Sequence, residues 1–265
     1  MERSGPFAPA TLERWRRREN LLPGAFLVAV AVAAWGYTIH QSSMMADMED
    51  SMGAMGATSM SGIGGLALFL SGWTVMMVAM MLPATMPLIL LYRTIASQRS
   101  GPFKAKAGIA FLFAGYIAVW TAAGLPVYAY NLAGGGFRAF ASLLPGVLLI
   151  AGGLYQFTPL KRNCHERCSS PLFFLIGNWK SGGSGALRLG MLHGVDCLGC
   201  CAGLMVGLVA LGMMNLAWML TAAAIIFAEK TTPNSHRIAR PMGGVMAAGG
   251  AVLLAISLLG GMEYM

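Results

Sequence analysis

The feature that most constrains this chain is a series of long apolar blocks separated by short polar and basic stretches. A bilayer span needs about 20 mostly apolar residues, and several blocks reach that length. Seven spans are expected, at residues 21–39, 64–92, 107–130, 141–157, 189–211, 213–229 and 241–262. Inside hydrocarbon, backbone polar groups must be satisfied within the segment, so each block is expected to be a helix. The fourth block is short, and the fifth and sixth require a tight turn near residues 212–215. Composition agrees with this reading. Hydrophobic residues make up 57% of the 265 positions and charged residues 11%, against about 25% charged in a soluble domain. The expected fold is all-α: a polytopic membrane helix bundle of about seven transmembrane helices.

The basic residues set the orientation. Arg3, Arg14, Arg16, Arg17 and Arg18 precede the first span, and Arg93, Arg99, Lys104 and Lys106 follow the second. Lys161, Arg162, Arg167, Lys180 and Arg188 follow the fourth, and Lys230, Arg237 and Arg240 follow the sixth. With the N-terminus inside, every Lys and Arg except Arg138 faces the cytoplasm, as the positive-inside rule requires. The C-terminus is then outside. The net charge of +8 thus sets topology and meets anionic lipid headgroups. It is no nucleic-acid footprint, because the basic clusters alternate with spans. The first block is expected to stay as an anchor, since it is long for a signal-peptide core and no clear small-x-small site follows it.

The chain divides into a cytoplasmic basic tail, residues 1–20, and a single membrane domain, residues 21–265. An external loop, 40–62, is rich in Met, Ser and Gly. A cytoplasmic connection, 158–188, carries Cys164 and Cys168. In the fifth span Gly199, Gly203 and Gly207 recur every four residues. Small residues at that spacing let helices approach closely, so this helix is expected against a neighbour and away from lipid.

The same span holds His193, Asp196, Cys197, Cys200 and Cys201. At about 100° per residue, the imidazole and the three thiols fall within a sector of about 100°. Thiolate and imidazole are good ligands for Cu(I) and Zn(II). One straight helix cannot wrap an ion with all four, so two or three of them with ligands from another helix are expected. The plainer reading treats each Cys as a small buried hydrophobe. Asp196 is the one acid well inside a predicted span. Intramembrane acids are expensive, which makes it a candidate functional acid or a structural hydrogen-bonding group.

The second span carries Met76 and Met80, and Met77 and Met81, each pair four residues apart, followed by Pro83 and Pro87. Thioether is a soft, neutral ligand suited to Cu(I) and poor for Zn(II). Met is also an adaptable packing residue. Proline removes helix hydrogen bonds and bends the segment. Further soft donors lie in the external loop, where Met44, Met45, Met48, Met52, Met55 and Met60 accompany His40, Asp47, Glu49 and Asp50. On the cytoplasmic side, Cys164, His165 and Cys168 form another small donor set. The cytosol would keep its thiols reduced. No predicted external loop contains a cysteine, which suits a bacterial inner membrane protein without a disulfide framework. No GxxxxGK[ST] phosphate loop occurs, and neither ATP-driven pumping nor hydrolase chemistry is expected.

Three stretches together resemble a bacterial family known as predicted metal-binding integral membrane proteins. They are residues 73–87 (WTVMMVAMMLPATMP), 155–171 (YQFTPLKRNCHERCSSP) and 190–205 (GMLHGVDCLGCCAGLM). Residues 214–218 and the pair Glu229-Lys230 also fit, so the resemblance covers roughly residues 64–233. The chain departs from the family pattern at Ala202, where a bulky aromatic is usual, and at His165, where Leu is usual. The resemblance implies metal binding without naming the metal.

Copper as Cu(I) is the expected cargo, with zinc the less favoured variant because of the Met stripes. The expected role is binding and passive transfer or delivery through the Met, Cys and His donors. The expected partners are the bilayer and a metal-accepting protein or other membrane subunits. Two other readings stay open at this point. One is a structural or assembly subunit of a larger membrane complex, which would hold no metal. The other is a thiol–disulfide redox protein using Cys200-Cys201 or Cys164 and Cys168.

Overall fold

The computed structural model describes residues 21–51, 62–134, 143–211, 215–232 and 236–262, with no side-chain detail for 21–23, 41–51, 133–134, 236 and 260–262. The basic tail 1–20, Arg138, the 212–214 turn and the Met-rich residues 52–61 lie outside the described residues. So do the side chains of Met44, Met45 and Met48.

Among the described residues every regular element is a helix. In chain order these are α1 (Leu21–Ser51), α2 (Ile63–Ser100), α3 (Pro102–Gly134), α4 (Leu144–Tyr155), α5 (Pro159–Ser169), α6 (Pro171–Asn178), α7 (Gly183–Leu211), α8 (Leu216–Thr231) and α9 (His236–Met262). Four of them contain stretches long and apolar enough to cross a membrane: Ile63–Ser100, Pro102–Leu132, Gly183–Leu211 and Arg237–Leu259. The apolar parts of α1 (Gly24–His40) and α4 are shorter. At a rise of 1.5 Å per residue, α4 is about 18 Å long and α8 about 24 Å, both below the hydrocarbon thickness of about 30 Å.

Two boundaries differ from the sequence expectation. The backbone of residues 40–51 continues α1 as helix to Ser51, where a loop was expected. The connection 158–188 is also largely helical. Thr158 caps α5, its hydroxyl accepting a hydrogen bond from the Lys161 backbone N–H at 3.3 Å, and Pro159 occupies the first turn. Proline is tolerated there because that N–H has no helical partner. Lys161, His165 and Cys168 are buried at positions i, i+4 and i+7, the spacing of one helical face. A stretch rich in charge therefore forms a helix that docks on α7 instead of a solvated loop.

The long helix α7 sits at the centre, packed against α3, α4 and α5, while α2 lies between α1 and α3, and α9 packs on α4. Glycine makes these approaches close. A Cβ on Gly190 would fall 1.9 Å from the Leu112 carbonyl oxygen of α3, and one on Gly115 would fall 2.2 Å from the Leu187 carbonyl oxygen of α7. The expected glycine ridge of α7 is also used. Gly199 meets Cys164 of α5, Gly203 meets the backbone of Gly152 in α4, and Gly207 meets Met246 of α9. Trp73 of α2 ties that helix to α3 by donating its indole N–H to the Trp120 carbonyl at 2.8 Å.

Candidate metal centre

Three thiols converge where α5 meets α7. The sulfurs of Cys168, Cys197 and Cys200 lie within 4.8 Å of one another, and all three residues are buried. Cys197 and Cys200 are three apart on α7 and so share a face. Cys168 arrives from α5, whose docking is secured on its far side by Lys161. That ammonium donates to both oxygens of Glu229 on α8, at 3.0 and 2.9 Å, and to the amide oxygen of Gln156. Lys161 and Glu229 each retain 4% side-chain exposure. With metal–sulfur bonds of about 2.3 Å, a planar three-coordinate ion needs sulfurs about 4.0 Å apart. The trio meets that need after a contraction smaller than a bond length.

Cys197 is the hub. Its sulfur accepts from the Lys230 ammonium at 2.9 Å and lies 3.3 Å from the Tyr116 hydroxyl of α3. The Cys200 and Cys201 thiols each point back to the Cys197 carbonyl, at 3.1 and 3.0 Å. Cys201 is buried beside the trio, but its sulfur is not one of the three that converge. All five cysteines are free thiols.

The methionines of α2 join the same core. Met77 and Met81 are fully buried, and Met76 and Met80 nearly so. They pack in one cluster with Cys168, Cys197, Cys200, Cys201, Tyr116 and Trp120. Two motifs more than a hundred residues apart in sequence therefore occupy a single dry interior.

The donor set of the 158–188 connection, by contrast, is split. Cys168 enters the trio, whereas Cys164 is half-buried against Gly199. Its thiol is harder to ionise than a free one, because burial and then the nearby Asp196 raise its pKa against the opposing pull of Arg167. His165 is buried and lines a different, smaller polar cavity with Lys161, Arg162 and Arg240. One helical turn separates 164 from 168, but each residue of the set meets a different neighbour.

His193 sits one turn before Cys197 on α7 and is 3% exposed. Its ring stacks on Tyr116 at 5.9 Å and meets Phe174 of α6 edge-on at 5.3 Å. Among the described residues neither ring nitrogen has a hydrogen-bond partner. Leaving a buried polar atom unpaired costs about 1–3 kcal/mol, so the position is held against a penalty. Asp196 meets a different partner, its carboxylate lying 3.8 Å from the exposed Arg167 guanidinium. Both line a polar cavity of about 830 Å³ with Glu166, Phe174 and Asn178.

Sequence reasoning placed Lys230 among the topology charges and in the family resemblance but not at the site, and it did not single out Tyr116. The adjacent Glu229-Lys230 pair at the end of an apolar helix was the available signal for the first. An aromatic residue in an apolar span gave none for the second.

The donor set is soft and buried, with sulfur in the majority, which suits a soft metal ion. The family model described as PpoB2, copper chaperone, matches residues 70–253. No curated protein and no solved structure matches the chain.

Proposed function

Because the chain belongs to the PpoB2 copper-chaperone family, we propose that it takes up Cu(I) within a membrane on Cys168, Cys197 and Cys200 and hands it on passively. The observation that carries this reading is the trio of buried sulfurs within 4.8 Å, contributed by two different helices. Three thiolates around one Cu(I) leave net negative charge in a dry interior. The Lys230 ammonium, 2.9 Å from Cys197, offsets part of it, since a buried charge is tolerated when it is paired.

The thioethers of Met76, Met77, Met80 and Met81 supply neutral soft donors in the same core. They favour Cu(I) over Zn(II) and add no charge as the ion moves. In this proposal copper is cargo and no catalysis is involved. The partner is a metal-accepting protein at the membrane face. Topology follows the charge pattern: seven crossings made by α1, α2, α3, α4, α7, α8 and α9, with the N-terminus inside, the C-terminus outside, in a bacterial inner membrane. The short α4 and α8 cross by local thinning of the bilayer or by burial against longer neighbours.

The test is metal content. Protein purified in detergent under reducing, anaerobic conditions is expected to carry about one copper per chain. The Cys168→Ser/Cys197→Ser/Cys200→Ser variant is expected to carry none while remaining folded. Wild type that is folded but takes up no copper would sink this reading in favour of a purely structural subunit.

A further inference from the structure

The trio explains how an ion is held but not how it leaves, because all three sulfurs are buried. Asp196 and Arg167, the chain neighbours of Cys197 and Cys168, line a polar cavity of about 830 Å³ together with Glu166 and Phe174. Phe174 is the shared wall: it lines the cavity and packs edge-on against His193 at 5.3 Å. His193 lies about one helical turn from Cys197, and residues at i and i+4 project from the same face. Imidazole and thiolate at that spacing can grip one soft ion between them. Tyr116 links the two, its ring stacked on His193 and its hydroxyl 3.3 Å from the Cys197 sulfur. Both imidazole nitrogens are buried and unpartnered among the described residues, and an orphaned polar group in a native interior calls for an explanation.

The geometry points to a second, transient copper station made by His193 and Cys197, lying between the three-thiol site and the polar cavity. Cys197 belongs to both stations and acts as the pivot. The ion keeps its bond to Cys197, exchanges Cys168 and Cys200 for the His193 imidazole, and so turns toward the cavity without ever losing all its ligands. Nothing is oxidised or reduced: two copper–sulfur bonds break, one copper–nitrogen bond forms, and the freed Cys168 and Cys200 thiolates each take up a proton from solvent. The linear two-coordinate state is one that Cu(I) accepts readily. Asp196 and Glu166 then offer the released cation a negatively charged mouth, with Arg167 close by to limit how strongly it is held. This inference rests on the three-thiol reading above and adds the route of release.

The experiment separates holding from releasing. Copper-loaded wild type, His193→Ala and His193→Gln, in detergent under anaerobic conditions, are mixed with excess bicinchoninate, and formation of the coloured Cu(I) complex is timed. Glutamine preserves size and polarity, so it distinguishes loss of the imidazole from loss of packing. Both variants are expected to load with as much copper as wild type. Both are expected to release it about ten-fold more slowly, a barrier change of about 1.4 kcal/mol. Release at the wild-type rate in both variants overturns the second station. Loss of copper loading in both, with the fold intact, also overturns it, because His193 would then be a ligand of the resting site. A wild type that never loads copper defeats the three-thiol reading first, an outcome read before any rate is measured.

Discussion

Helices α7 and α9 have spans of equal mean hydropathy, 2.0, yet 56% of the α7 window is buried inside the protein and only 17% of the α9 window. Hydropathy therefore identifies membrane segments without saying which of them faces lipid. The difference lies in the other residues. Along α7 the glycines meet neighbouring helices, and the polar and thiol-bearing residues His193, Asp196, Cys197, Cys200 and Cys201 are all buried. Along α9, Gly243 and Gly250 seat the helix on α4, whereas Gly244 and Gly249 face open space. Val245, Val252, Ile256, Leu258 and Leu259 are exposed, as expected for a lipid-facing surface. An apolar side chain gains as much from lipid as from protein, so small and polar residues decide which helix takes the centre.

The sharpest way to test the buried side is through its charges. Glu229→Ala leaves the Lys161 ammonium buried without its carboxylate. Breaking such a pair costs about 3–5 kcal/mol. Thermal unfolding in detergent is expected to show that loss, and an unchanged midpoint would mean that the interior around α5, α7 and α8 is wetter than its burial indicates. Since Lys161 anchors α5, copper loading at Cys168 is expected to fall in the same variant.

The second test exchanges glycine for alanine on the two helices. Gly190→Ala in α7 drives a methyl group against the Leu112 carbonyl and is expected to cost about 3 kcal/mol. Gly249→Ala in α9, where nothing lies within 4 Å, is expected to stay within about 0.5 kcal/mol of wild type. Equal effects at the two positions, measured by the same unfolding assay, would remove the contrast between the helices.

The smallest effect concerns thiol reactivity in the metal-free protein. Cys164 is the least buried of the five cysteines, and burial raises its pKa. At about pH 8.5, near the ordinary cysteine value, less of it is thiolate than of a free cysteine. Iodoacetamide is then expected to label it a few-fold more slowly than free cysteine, with the rate still climbing as pH rises further. The buried thiols of α7 should label more slowly still. Faster labelling at Cys197 than at Cys164 would mean that the α7 face opens to solvent.

Much of this was legible in the chain itself. Apolar block length gave an all-helical membrane protein, and Gly199, Gly203 and Gly207 marked α7 as a packed helix, because backbone approach depends on side-chain size alone. The His193 and Cys197 to Cys201 cluster was visible because helical periodicity fixes which residues share a face. What the sequence did not reveal was which residues of different helices would meet. Local spacing grouped Cys164, His165 and Cys168 into one site, but only Cys168 faces Cys197 and Cys200, since the docking angle of α5 on α7 sorts them. Lys230 and Tyr116 reach Cys197 across 33 and 81 residues of sequence, and no local pattern encodes such a contact. The sequence by itself determined the soft-donor chemistry and its dry surroundings, because both follow from residue type and periodicity. The tertiary structure alone decided that three sulfurs, one ammonium and the methionines of α2 share one interior, because that depends on how close glycine lets the helices come.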